Sequence, residues 1–255
     1  MRLNTLDATL IASDMLTPNT AQLVLRVPGH QFDFEPGHHV GVAYESDEDG
    51  IVHKPYSPVS LPGTDTITLM VKRYDDGTCS VWLHERALGD TIPLTDPRGN
   101  LQLHDTDRDA VFLATGTGLT PMMSMLQAYR QHGKGRAVLV YGERSLNHLA
   151  YRNVLDMWTS SSERIDVAYV LSEPESAEER AGWTESQRAA TGAPAVRHGH
   201  VQEHLDDLLD SDLRENAHFF ACGVPQMVVD TEELLTDAMD IDPDRIFTEG
   251  WESGA

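Results

Sequence analysis

The segment Ala114-Thr115-Gly116-Thr117-Gly118-Leu119-Thr120-Pro121 lies between an apolar run, Val111-Phe112-Leu113, and a helix-forming stretch, 122–132. Glycines at Gly116 and Gly118 let the backbone approach a ligand closely, and a helix start presents unpaired N–H groups to a pyrophosphate. Thr120 suits the N-cap and Pro121 the first helical position, where its missing N–H costs nothing. Pro121 occupies the place of the third glycine in the G-x-G-x-x-G dinucleotide pattern, and a G-x-G after a strand is also an ordinary tight turn.

Three further groups have chemistry-bearing composition. In His53-Lys54-Pro55-Tyr56-Ser57-Pro58-Val59-Ser60, a cation, an aromatic ring and two hydroxyls sit on an extended, proline-stiffened strand. Together they can meet a phosphate, a flat ring and a ring edge, although any edge strand could carry them. Gly77-Thr78-Cys79-Ser80 opens the short helical pattern Val81-Trp82-Leu83-His84 and makes a plausible anion nest. Ala221-Cys222-Gly223-Val224-Pro225 closes an apolar strand and opens a helix; Cys222 by itself reads as a small core residue.

The elements that must carry these groups divide into two patterns. Up to about residue 103, short strands are expected at 9–13, 21–27, 38–44, 66–74 and 91–94. They are punctuated by Pro28-Gly29, Pro36-Gly37, Asp49-Gly50, Pro62-Gly63 and Asp76-Gly77. Such spacing predicts an antiparallel barrel or sandwich, with one short helix at 79–85. After the polar stretch 104–109, apolar strands at 110–114, 137–141, 165–171 and 218–222 alternate with helices at 121–132, 146–159, 201–210 and 225–239. Alternation of this kind requires crossovers and gives a parallel sheet covered on both faces. Residues 173–197, rich in Glu, Ala, Ser and Gly, read as a long connection or lid. The expected fold is an all-β barrel domain, 1–104, followed by an α/β nucleotide-binding domain, 105–255.

Composition narrows the setting. The 255 residues carry a formal charge of −22, and their 19 basic residues include only three lysines, Lys54, Lys72 and Lys134. Such a surface repels the phosphates of nucleic acid and anionic membrane. It also suits concentrated salt, where self-repulsion is screened, so a halophilic source is expected; an acidic protein from a mesophile is the plainer alternative. Two cysteines, Cys79 and Cys222, supply neither a disulfide framework nor a cysteine-rich metal site. The N-terminus lacks a signal-peptide pattern and no apolar run reaches membrane-spanning length, so a cytoplasmic, monomeric protein is expected.

The order of these motifs resembles the ferredoxin–NADP⁺ reductase superfamily over nearly the whole chain. That family's Arg-x-Tyr-Ser flavin motif reads Lys54-Pro55-Tyr56-Ser57 here. Its strand and phosphate turn read Met70-Val71-Lys72-Arg73 and Gly77-Thr78-Cys79-Ser80, and its nicotinamide-nucleotide turn Gly116-Thr117-Gly118-Leu119-Thr120-Pro121. Cys222-Gly223 matches its Cys-Gly motif, and Phe247-Thr248-Glu249-Gly250-Trp251 resembles its C-terminal acid–aromatic signature. The resemblance implies FAD held non-covalently in the barrel, with the flavin ring at the interdomain cleft. Tyr56 would stack on that ring and Ser57 would bond near the hydride-accepting nitrogen. Gly77, Thr78, Cys79 and Ser80, with the Val71-Lys72 strand, would hold the pyrophosphate. Thr117, Cys222 and Gly223 would flank the nicotinamide of NADH or NADPH, with Glu249 among the polar groups around the transfer centre. Their work is orientation and electrostatics, since the cofactor carries the chemistry.

Two departures stand out. Lys54 replaces a planar, forked arginine with a point charge, which makes phosphate contact less directional. The resemblance implies that Trp251 covers the flavin face, but the chain runs on after it as Glu252-Ser253-Gly254-Ala255, so Trp251 reads equally as an ordinary hydrophobic terminal residue. Where NADP-specific relatives commonly place Ser-Arg, this chain has Ser172-Glu173. Glu173 would repel a 2′-phosphate and accept from a free ribose diol, which predicts NADH preference. Glu173 as a solvated loop residue, with Arg180, Arg188 or Arg197 folding back, is the competing reading.

Other clusters are set aside. His198, His200 and His204 fit a surface turn into a helix; His38 and His39 point to opposite faces of a strand. The run Asp206, Asp207, Asp210, Asp212 reads as a solvated helix face, and Met122, Met123 and Met125 as core filling. The expected activity is hydride transfer from NAD(P)H to FAD, then electrons to a separate ferredoxin, flavodoxin or oxygenase component. A free-flavin or ferric reductase, and a non-catalytic flavin-binding subunit of a larger complex, are the alternatives.

Overall fold

Alternating burial builds the first half. In the computed structural model, which describes residues 5–46, 50–103, 105–176 and 194–250, the strand β2 (Thr20–Arg26) turns Ala21, Leu23 and Leu25 inward. They meet Val71, Leu69 and Ile67 of β5 (Thr66–Lys72) in antiparallel register. Period-two patterning fixes this register, because a slip of one residue would turn every apolar side chain to solvent. With β1 (Leu6–Thr17), β3 (Val40–Ser46), β4 (Gly50–Tyr56) and β6 (Thr91–Leu94), the sheet order is β4-β3-β6-β1-β2-β5. A Pro58–Leu69 bridge and a Val59 N–H bond to the Thr68 carbonyl at 2.9 Å link the end of β4 to β5 and close the barrel. The helix α1 (Thr78–His84) follows β5 and buries Cys79 and Leu83 against the barrel core.

Continuous apolar runs build the second half. The strands β7 (Ala110–Thr115), β8 (Ala137–Glu143), β9 (Ile165–Leu171), β10 (Ala195–His198), β11 (His218–Gly223) and β12 (Ile246–Gly250) form one parallel sheet. The near-complete burial of β7, β8, β9 and β11 is what the centre of a sheet covered on both faces requires. The helices are α2 (Leu119–His132), α3 (Arg152–Ser161), α4 (Leu205–Leu208), α5 (Ser211–Asn216) and α6 (Pro225–Glu233). Strand order β10-β9-β8-β7-β11-β12 runs outward in both directions from β7 and β11. By chain contacts the molecule forms two compact units, one of residues up to 103 with Thr120–Gln127, the other of 105–119 with 128–250. In the first unit, buried Gly37 N–H donates to Ser124 Oγ at 3.1 Å.

Several expectations need correction. Helix α2 begins at Leu119 after a 3₁₀ turn, Gly116–Gly118, with Gly118 as its cap, so Thr120 and Pro121 lie inside the first turn. The stretch 146–159 is not one helix. Tyr151 adopts a left-handed φ of 56°, which separates a 3₁₀ turn, Leu146–His148, from α3. The helix expected at 201–210 is a 3₁₀ turn plus α4, broken before Asp210, which caps α5 by accepting from Leu213 N. The helix expected at 225–239 ends as α6 at Glu233 and continues as a π-helical turn, Leu234–Ala238. The supposed lid ends in a strand, β10, and β12 is an edge strand the reading lacked. The acidic run is ion-paired rather than merely solvated. Asp210 and Asp212 hold Arg136 at 2.9 and 2.8 Å, Asp207 holds Arg197 at 3.1 Å, and Asp206 holds Arg214 at 3.1 Å. His38 and His39 precede β3 rather than lying in it.

Candidate functional site

Two constellations emerge, one in each unit. In the barrel, β4 carries Lys54, Pro55 and Tyr56, with Lys54 paired opposite Val42 of β3. Tyr56 leans on the barrel core, and its hydroxyl is hydrogen-bonded to the Cys79 thiol of α1. Burial, then the neighbouring Cys79, pushes the Tyr56 phenol well above its ordinary value. Burial likewise pushes the Cys79 thiol from 9.0 up to about 11, against the opposing pull of the Tyr56 bond and the Lys54 charge. Both groups are therefore neutral at physiological pH, and Cys79 is an inert thiol.

Ser57 follows directly. It is 2% exposed, and its Oγ has no hydrogen-bond partner among the described residues. An orphaned buried hydroxyl costs about 1–3 kcal/mol, so a ligand edge that bonds it would recover that cost. This is the observation that fits a flavin ring to the barrel.

The turn into α1, Gly77–Ser80, is held from several sides. Gly77 leaves no room for a side chain, since a Cβ there would lie 2.5 Å from Ser80 Oγ and 3.2 Å from Tyr74 Cβ. Ser80 is buried, and its Oγ accepts from Tyr74 N at 3.4 Å, closing the turn from beneath. Exposed Thr78 shares a hydroxyl–hydroxyl hydrogen bond with buried Tyr44. Val71 is fully buried, and its carbonyl bonds His84 Nε2 at 2.9 Å, which ties α1 to β5. Lys72 ends β5 opposite Thr20.

In the second unit the turn after β7 and the turn after β11 are packed backbone to backbone. These adjacent strands mark the point where strand order reverses, the place in open α/β sheets where ligands bind. Gly116 has a φ of +56° and Gly223 a φ of +146°, both left-handed conformations that favour glycine. A Cβ on Gly118 would collide with the Cys222 carbonyl and lie 2.6 Å from Gly223 N. Thr115 Oγ1 accepts from Val224 N at 3.0 Å and fastens the two turns together. Thr117 is half-buried, Cys222 is fully buried, and Glu249 of β12 stands beside Cys222 in register.

Glu173, just past β9, is exposed, and its N–H donates to the Arg144 carbonyl at 2.8 Å. The backbone of the exposed Arg144 therefore lies beside that of Glu173. Trp251, Arg180 and Arg188 lie outside the described residues. Arg197 is engaged with Asp207. His204 Nε2 bonds the His198 carbonyl at 2.7 Å, and His200 closes a capping box with Glu203. Tyr44, Thr115 and Arg144 were missed because their partners are remote in sequence or bonded through the backbone. Only Thr115, a hydroxyl directly before the G-x-G, left any trace in the pattern.

Comparison with known proteins gives these constellations a family. A family model for an oxidoreductase FAD-binding domain matches residues 7–103, and one for an oxidoreductase NAD-binding domain matches residues 112–233. The chain is 30% identical over 261 residues to a ferredoxin–NADP reductase B of Sorangium cellulosum, covering 96% of this chain and 97% of that protein. It is 32% identical over 164 residues to the ferredoxin reductase component of a 3-ketosteroid-9-alpha-monooxygenase from Mycolicibacterium smegmatis. That match covers 61% of this chain and 46% of the relative, so the chain spans less than half of that protein. A ferredoxin NADP⁺ reductase from Neisseria gonorrhoeae, solved with FAD and NADP bound, shares the fold at a TM-score of 0.77 and 21% identity, covering 98% of this chain and 99% of that one.

Proposed function

Because the chain belongs to the ferredoxin–NADP⁺ reductase superfamily and carries its FAD-binding and NAD-binding domains, we propose that it takes hydride from NAD(P)H and passes electrons to a separate acceptor. The observation that most supports this is the buried, unpartnered Ser57 hydroxyl directly after Lys54-Pro55-Tyr56. Bound FAD supplies the chemistry, accepting two electrons as hydride and releasing them singly.

The residues do the positioning. Tyr56, fixed by Cys79, offers its ring face to the flavin, and Ser57 offers a hydrogen bond to the flavin edge near the accepting nitrogen. Lys54 and Lys72 place cations on phosphate, and the N–H groups of Thr78, Cys79 and Ser80 are offered to the pyrophosphate with the Val71 strand behind them, while Gly77, its own N–H held by the Tyr74 carbonyl at 3.0 Å, keeps the approach free of a side chain. Gly116, Thr117, Gly118 and Pro121 receive the nicotinamide nucleotide, with Cys222 and Gly223 bounding its ring and Glu249 supplying nearby polarity. The Cys222 thiol has no nucleophilic task, since hydride transfer needs none.

We assign NADH as the preferred donor, with Glu173 accepting from the ribose diol and opposing a 2′-phosphate. Arg144 is the cation that opposes this assignment, and a higher kcat/KM for NADPH than for NADH would overturn it. Among the described residues no helix is long and apolar enough to cross a membrane. We read the protein as a cytoplasmic monomer adapted to high salt. A ferredoxin, a flavodoxin or an oxygenase component is the acceptor class. The test is to purify the chain, confirm bound FAD, and assay NAD(P)H-driven reduction of each class beside free flavin and a ferric chelate. Turnover with a protein acceptor well above that with free flavin or iron supports the proposal; turnover with the small acceptors alone overturns it.

A further inference from the structure

The bond between Tyr44 and Thr78 crosses from the barrel interior to its surface. Tyr44, on β3, is 7% exposed and belongs to the barrel core, whereas Thr78, the first residue of α1, is exposed. Their hydroxyls are hydrogen-bonded to each other, and either oxygen could be the donor. The Tyr44 ring is not free to turn away. It packs on Trp82 with ring centres 5.9 Å apart, and Arg86 lies over the other ring at 4.7 Å. Arg86 is itself anchored, its Nε donating to the Trp82 carbonyl at 3.0 Å. Tyr44 thus holds one fixed hydroxyl against the side chain that stands at the mouth of the phosphate turn.

We propose that Tyr44 is a positioning residue for phosphate binding, acting through Thr78. A phosphate oxygen carries no proton to give, so Thr78 must donate its own hydrogen to it. Tyr44 must then be the donor of the inner bond, and the two hydroxyls align as a chain running outward from the barrel. In such a chain each bond polarises the next, so the Thr78 hydrogen is offered to the anion both oriented and strengthened. An unsupported threonine would have to give up rotamer freedom to reach the same state. Tyr44 therefore favours ligands that bring phosphate to this turn over the bare flavin ring. This rests on the FAD reading of the barrel given above.

Full-length apoprotein, titrated with FAD and separately with riboflavin, tests it through Tyr44→Phe, which keeps the ring on Trp82. Expected is a fall in FAD affinity of about 5- to 30-fold, the factor that roughly 1–2 kcal/mol sets, with riboflavin affinity within about twofold of wild type. Thr78→Val should match that loss, Thr78→Ser should restore affinity, and the Tyr44→Phe/Thr78→Val pair should be no worse than Thr78→Val alone. Equal losses for FAD and riboflavin would make Tyr44 a pin between α1 and β3 and overturn the inference, as would unchanged FAD affinity. Should Tyr44→Phe fail to fold, the Thr78→Val and Thr78→Ser pair decides, since a valine that binds FAD as well as serine does overturns it. Wild-type protein that binds no FAD would overturn the barrel reading itself.

Discussion

Gly118 and Cys222 meet backbone to backbone, so closely that any side chain on Gly118 would collide with the Cys222 carbonyl. The contact fixes two turns from adjacent parallel strands as one surface. Gly118→Ala must therefore push the turns apart, and a displacement of this kind at a reacting centre costs far more rate than stability. The variant should retain bound FAD, because the flavin motif lies in the other unit, yet its reduction by NAD(P)H should slow by about 10- to 100-fold in anaerobic stopped flow. Reduction at the wild-type rate would show that these turns do not receive the nicotinamide.

Ser57 gives a prediction with opposite signs in two measurements. Its buried hydroxyl has no partner among the described residues, so Ser57→Ala removes an unsatisfied group from the apoprotein. The apoprotein melting temperature should hold or rise, while flavin reduction slows about 10-fold or more, since one positioned donor is worth on the order of 1–3 kcal/mol. A lowered melting temperature with unaltered reduction would mark Ser57 as structural.

Cys79 sets a pH dependence. Its thiol titrates near 11 when folded and near 9.0 otherwise, so the unfolded chain loses the proton first as pH rises. Stability is fully present below pH 9.0 and falls between there and about pH 11, by roughly 1–3 kcal/mol for this group. The Tyr56 phenol, raised for the same reason, adds to the decline at the upper end. Urea midpoints measured across this range should fall less steeply for Cys79→Ala than for wild type; identical slopes would contradict the assignment.

The sequence carried the scaffold further than the fittings. Ala21, Leu23 and Leu25 alternate so strictly that β2 could be read directly, and the buried run Val111–Ala114 announced β7. The edge strands of the parallel sheet, β10 and β12, were hidden. Ile246–Gly250 is half-exposed and ends in Thr-Glu-Gly, a composition that does not separate strand from loop. The helix break at Tyr151 was equally silent, because its left-handed backbone falls on a residue type that gives no such signal. Motif residues such as Gly77, Ser57 and Gly223 were legible because their chemistry is local. Tyr44 was not, since its bond to Thr78 exists only once β3 and α1 are brought together.

Salt should separate the surface charge from the site chemistry. At −22 the folded chain repels itself, and counter-ions reduce that cost. The urea midpoint is expected to rise steadily from low salt to multimolar KCl. A midpoint indifferent to KCl would contradict adaptation to high salt while leaving the cofactor sites untouched.

Hydride passes in this chain from a nicotinamide donor to its own bound flavin. Anaerobic addition of NADH or NADPH to the purified, FAD-loaded protein tests it most directly through the visible flavin absorbance. Rapid bleaching at one donor per flavin, faster with NADH, is the expected result. A yellow protein bleached by neither donor, yet reducible by dithionite, would contradict it and leave a flavin-binding electron carrier.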